Sequence, residues 1–191
     1  RARALPIVGR ARRRLRATEP LVGAVGRDVR NRRDLEPLRG VLYAVWWRVE
    51  TAGAENVPST GPGLIVANHS GVLPYDGLMV QLAIRHEHPA KRVCRMLALD
   101  MFALLPVLAP LLSKSGSVRA NPENAERLLH RGELLGVFPE GVKGVGKYFR
   151  ERYKLARFGR GGFVRIALRT GSPIIPCAVV GAEEIHPVVA K

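Results

Sequence analysis

Apolar residues gather in this chain in short runs, each closed by glycine, proline or a polar turn. Residues 64–67, Leu-Ile-Val-Ala, stand between Gly61-Pro62-Gly63 and the polar Asn68-His69-Ser70, the pattern of a short buried strand. Similar runs predict strands over 92–99, 116–120, 134–138 and 173–180, the last interrupted by Pro176. Between them the spacing turns helical. A helix is expected over 77–86, with Leu78, Leu82 and Met79 facing inward, and another over 161–169, ending at Thr170-Gly171. Asn121-Pro122-Glu123 is a helix start, with a capping side chain, proline in the first turn and an acid behind it, and this helix should stop at Gly132. Upstream, Leu35, Leu38, Leu42, Val45, Trp46 and Val49 fall at helical intervals and predict an amphipathic helix over 35–49. Strands alternating with helices imply an α/β fold.

The longest apolar stretch, residues 101–112, holds Pro106 and Pro110 and is too short to span a bilayer, which takes about 20 residues. No signal-peptide pattern opens the chain, since no apolar segment follows the first arginines. With 191 residues, one domain is expected. It divides into a basic N-terminal helical region, 1–48, and a domain over 49–191 whose C-terminal completeness the sequence leaves open.

Charge changes the picture more than composition does. Lys plus Arg is 31 against 16 Asp plus Glu, a formal charge of +15. Such a surface suits a polyanion: nucleic acid, an anionic membrane or a phosphate-bearing substrate. Arginine is densest over residues 1–40, which read either as a solvated arm or as a polybasic segment drawn to anionic lipid. Nucleic acid is the disfavoured partner, because aromatics are not interleaved with those arginines. Tyr43, Trp46 and Trp47 cluster near the end of the first helix, where indole rings suit a membrane interface or the domain's own surface. Cys94 and Cys177 sit among apolar residues and read as core thiols. His86, His88, His130 and His186 are not spaced as ligands with either cysteine, and no metal is expected.

The chemistry gathers at strand ends. His69, with Ser70 and Gly71 behind it, follows the first strand, Arg119 ends another, and Glu140 follows a third. Ligands of open α/β sheets bind beyond such carboxyl ends. A histidine there is a candidate general base, and Asp76 is the nearest carboxylate to orient it. Ser70 lacks a Gly-x-Ser-x-Gly setting and is not a candidate nucleophile.

Four ordered blocks then resemble the glycerolipid acyltransferase superfamily over about residues 49–184: Asn68-His69-Ser70-Gly71 with Asp76, Gly116-Ser117-Val118-Arg119, Phe138-Pro139-Glu140-Gly141, and Ile175-Pro176-Cys177. The resemblance implies a single α/β domain with a mixed central sheet flanked by helices. It implies that His69 is the base and Asp76 its orienting partner. Arg119 with Phe138, Pro139, Glu140 and Gly141 would bind the phosphate and glycerol region of the acceptor, with Asn68, Ser70, Gly71 and Pro176 in support. The donor would be an acyl-CoA or an acyl-carrier protein, with no other cofactor. The acceptor would be a glycerolipid hydroxyl, and the place the cytoplasmic face of a membrane, bound peripherally or monotopically. A neutral glycerolipid or glycolipid alcohol, or a non-catalytic binder of anionic lipid or nucleic acid, stays open as an alternative. One departure matters: six residues separate His69 from Asp76, where the family's usual first block has four. Gly71 and Pro74 would have to loop the chain back. The basic residues Lys143, Lys147, Lys154, Arg157 and Arg160, with Phe158-Gly159-Arg160-Gly161 among them, follow the third block and could face phosphate, membrane or solvent.

Overall fold

Five short strands carry the apolar runs: β1 (Gly63–Ala67), β2 (Cys94–Ala98), β3 (Val118–Arg119), β4 (Leu134–Val137) and β5 (Ile174–Cys177). They appear in a computed structural model that describes residues 36–69, 75–98, 115–141, 144, 147–155, 158, 161–185, 187 and 189. The arginine-rich stretch before residue 36, Ser70, Gly71, residues 101–112, Lys143, Arg157, Arg160 and His186 lie outside the described residues.

The sheet runs β3-β2-β4-β1-β5, and all four pairings are parallel. A mixed sheet was expected. The correction has a simple cause: helix α2 (Tyr75–Glu87) follows β1, α3 (Pro122–His130) follows β3 and α4 (Gly162–Thr170) follows β4. Each helix carries the chain from the carboxyl end of the sheet back to its amino end, so the next strand runs parallel to the last. Strands buried on both faces read as continuous apolar runs, and β1 is buried along its whole length.

One face of the sheet packs Leu64, Val66 and Leu135 against Ala125, Leu128 and Leu129 of α3 and Ala167 of α4. The other packs Ile65, Cys94, Met96 and Leu134 against Val80 and Ile84 of α2. Gly136 makes this second face possible. A Cβ there would lie 2.3 Å from Met96 Sδ, so the thioether occupies the space of the missing side chain. Asn121 caps α3 as expected, its Oδ1 accepting from the Glu123 amide at 2.7 Å, with Pro122 first in the helix.

The first helix departs from its expected form. Only Glu36–Val41 (α1) is α-helical; Leu42–Trp46 form a π-helical turn that ends before Val49. The wider turn rotates the side chains beyond it relative to those of α1. Tyr43 becomes the buried anchor, packed on Met79 and Leu82 of α2 with Trp47 and Val49 beside it. Leu38, Val41, Val45 and Trp46 are left outward, Trp46 at 73% exposure. Helix α2 is thus covered on two sides, by the sheet and by this N-terminal element. Among the described residues, no helix is long and apolar enough to cross a membrane.

Burial pushes the Cys94 thiol up to about 12, and burial also raises Cys177. A raised thiol pKa means less reactive thiolate at a given pH. At pH 8 the Cys94 thiolate fraction is about one in 10,000. Alkylation of the native protein at that pH should therefore leave Cys94 unlabelled and Cys177 slow, and both should react at once in denaturant. Rapid native labelling of Cys94, read by mass spectrometry, would contradict this packing.

Candidate active site

The strand order itself locates the site. From β1 the chain crosses by α2, on one face, to β2; from β4 it crosses by α4, on the opposite face, to β5. The two crossovers run in opposite directions along the sheet. A crevice therefore opens between the carboxyl ends of the neighbouring strands β4 and β1. His69 stands two residues beyond β1, and Phe138-Pro139-Glu140 follow directly on β4.

The His69 imidazole is buried, at 8% exposure, and its Nδ1 lies 2.5 Å from Asp76 Oδ2. The longer spacing of the first block does not keep the two apart. Asp76 enters from the first turn of α2, where its Oδ1 accepts the Gly77 amide at 2.7 Å and the helix terminus favours an anion. With a carboxylate as its partner, Nδ1 carries the proton, and the Nε2 lone pair is the one free to act as a base. Phe138 stacks on the imidazole, centroids 4.4 Å apart and planes 14° from parallel, which fixes the ring's plane. Phe138 rests in turn over Gly77, where a Cβ would come within 3.3 Å of the ring edge.

Asn68 braces the strand end. Its Nδ2 donates to the Val179 carbonyl at 2.8 Å and its Oδ1 accepts the Val179 amide at 2.7 Å. The segment after β5 is thereby tied to the residue that precedes His69.

Glu140 is buried beside the histidine. Lys147 Nζ lies 3.6 Å from Glu140 Oε2 and 2.7 Å from Glu183 Oε1. Lys147 is thus an internal cation rather than part of a solvated face. The sequence leaves its role open and does not single out Glu183, which lies beyond the fourth block; only their opposite charges hint at the pair. Nor does it identify Gly144, which packs against both His69 and Glu140.

Arg119 ends β3 at the same edge of the sheet, half-buried. Three strand spacings separate β3 from β1, about 14 Å across the sheet. Pro139 is half-buried, and Gly141 takes a positive φ of 57° in the turn that closes on the Phe138 carbonyl. Pro176 sits on edge strand β5 opposite Val66 with its side chain exposed. Proline is tolerated on an edge, where no ladder donor is lost. Among the described residues, no three His, Cys, Asp or Glu side chains gather to hold a metal ion.

The sequence model of the acyltransferase family matches residues 48–180. An uncharacterized protein of Mycobacterium tuberculosis is 53% identical over 155 residues, covering 81% of this chain and 43% of that protein. The human DGAT1/2-independent enzyme synthesizing storage lipids is 31% identical over 135 residues, covering 70% of this chain and 40% of its own length. This chain therefore spans less than half the length of these relatives. The crystal structure of the 1-acyl-sn-glycerophosphate (LPA) acyltransferase PlsC from Thermotoga maritima shares the fold, with a TM-score of 0.51 at 21% identity over 71% of this chain and 51% of that one. A histidine–aspartate pair at a parallel-sheet crevice and a family match over most of the chain point the same way: this chain belongs to the acyltransferase family.

Proposed function

We propose that the chain moves a fatty acyl group from an acyl thioester to a hydroxyl of a glycerol-phosphate or lysophospholipid acceptor, with His69 as the general base. The observation that carries this reading is the 2.5 Å contact between His69 Nδ1 and Asp76 Oδ2, set beside Glu140 in the crevice. Nε2 takes the acceptor's hydroxyl proton as the oxygen attacks the thioester carbonyl. The new C–O bond forms, the C–S bond breaks, and the proton passes on to the departing sulfur. Asp76 holds the tautomer and stabilises the imidazolium. Phe138, Pro139, Glu140 and Gly141 line the acceptor's glycerol region, and Arg119 faces its phosphate. No cofactor beyond the acyl-CoA or acyl-carrier-protein donor enters this chemistry.

A lipid acceptor places the enzyme at a bilayer, and the outward stripe of Leu38, Val41, Val45 and Trp46 supports that location. With the net charge of +15, it suits peripheral binding to an anionic cytoplasmic leaflet. A neutral glycerolipid acceptor is the second reading, supported by the storage-lipid name of the 31% identical relative.

The test is incubation of the purified chain with labelled acyl-CoA and a panel of lysophosphatidate, glycerol phosphate and diacylglycerol, with the product lipids identified. Acylation of the phosphate acceptors is expected, and Arg119→Ala should weaken it by about 10- to 100-fold, the loss of one charge-assisted contact. A preference for diacylglycerol unaffected by Arg119→Ala would favour the second reading. No acylated product from any acceptor would contradict both.

A further inference from the structure

The turn after Glu140 contains a glycine whose missing side chain is filled by the site itself. An ideal Cβ on Gly144 would lie 2.8 Å from Glu140 Cβ, 2.8 Å from Glu140 Oε2 and 2.9 Å from His69 Cβ. Contacts under about 3 Å are repulsive, and two of these three atoms are Cβ carbons, which cannot swing aside by a rotamer change. Glycine at this position is thus set by space. Its backbone is not among the positive-φ glycines, so conformational freedom does not require it. The amide of Gly144 is held on the Gly141 carbonyl at 3.1 Å, which fixes the approach. Three residues on, Lys147 reaches back, 3.6 Å from Glu140 Oε2, and is itself anchored 2.7 Å from Glu183 Oε1. The Glu140 side chain is fully buried, and Lys147 brings a positive charge to its Oε2 side.

We propose that Gly144 and Lys147 are positioning residues that hold Glu140 against His69: Gly144 by leaving room for the two side chains to stand together, Lys147 by fixing the carboxylate's direction from behind. The proposal rests on the reading of His69 as a base and Glu140 as an acceptor contact. A methyl group at position 144 drives the His69 and Glu140 Cβ carbons off their places and tilts the imidazole against Asp76. A neutral side chain at 147 removes a positive charge from beside Glu140 Oε2 and loosens the direction of the buried carboxylate.

Two readouts on the whole chain test this. The first is the proton NMR signal of the strongly hydrogen-bonded His69 Nδ1–H, which reports the contact with Asp76 whether or not the protein turns over substrate. Gly144→Ala should move or broaden that signal. Leu128→Ala, a cavity in the α3 packing far from the crevice, should lower the melting temperature and leave the signal in place. The second is turnover with saturating acyl-CoA. Gly144→Ala should lower kcat by about 100-fold, the cost of a misplacement near 1 Å, and alter the donor KM far less. Lys147→Gln should lower kcat about 10-fold, the loss of a positive charge 3.6 Å from the carboxylate, and Lys147→Arg should recover most of it. A folded Gly144→Ala protein with an unmoved imidazole signal and unchanged kcat would overturn the proposal. If Gly144→Ala does not fold, Lys147→Gln decides, and wild-type turnover in that variant would overturn it. Should the wild-type chain acylate nothing, the functional reading falls, and the imidazole signal still decides whether Gly144 sets the His69 geometry.

Discussion

His69→Ala is expected to lower acyl transfer by about 100- to 10,000-fold, the range a positioned general base contributes. The effect should fall on kcat, because in the proposed mechanism the imidazole acts only as the hydroxyl attacks. A 1,000-fold loss corresponds to about 4 kcal/mol of transition-state stabilisation. The substitution also removes the stack on Phe138, worth about 1 kcal/mol, and takes the imidazole away from Asp76 Oδ2, so it costs stability as well. Loss of activity in this variant therefore has to be separated from loss of fold. His69→Asn makes the separation. Its amide can still donate to Asp76 from near the Nδ1 position, and it offers no basic nitrogen where Nε2 stands. The expected result is a melting temperature closer to wild type than that of His69→Ala, with acyl transfer as low. Initial rates of lipid product, measured with both variants and compared with their melts, check it. Retained turnover in a folded His69→Asn protein would remove His69 from the mechanism.

The second large effect is expected at Asp76. Asp76→Asn keeps the size of the side chain and can still accept the Gly77 amide. It removes the negative charge beside the imidazole and allows the other tautomer, in which Nε2 carries the proton and cannot act as a base. In histidine bases of this kind the orienting carboxylate is worth about 1,000- to 10,000-fold. A loss of that order in kcat, with both KM values within a few-fold, is the expected outcome. Asp76→Ala should lose as much activity and more stability, since the Gly77 amide then also lacks its acceptor. A folded Asp76→Asn protein within tenfold of wild type would show that the 2.5 Å contact orients nothing the reaction uses.

Much of this architecture was legible in the residues themselves. Strands β1 and β4 were readable because strands buried on both faces give continuous apolar runs, and α3 because Asn121 and Pro122 mark its start chemically. Strand direction was less accessible: it depends on which end of the sheet each connection reaches, a long-range property with no local signal. The first helix misled for a different reason. Its apolar spacing fits a regular helix, and the π-helical turn at Leu42–Trp46 rotated Tyr43 inward and left Val45 and Trp46 outside. Within the site, the residues at strand ends stood out because strand ends are where α/β sheets present chemistry. The pairing of His69 with Asp76 across six residues has no local signature, because it depends on how the intervening chain returns. Gly144 and the Lys147–Glu183 pair gave little signal, since a close approach and a distant ion pair exist only once the chain is folded.

Direct transfer is the central claim: His69 activates the acceptor, and the acyl group never rests on the protein. The measurement that reaches it most directly is release of free thiol from acyl-CoA, monitored with and without a lysophospholipid acceptor. Thiol release that appears only with acceptor, matches lipid product one for one and leaves the intact protein mass unchanged is the predicted result. A burst of thiol equal to the enzyme concentration in the absence of acceptor, with an acyl group added to the protein's mass, would contradict it.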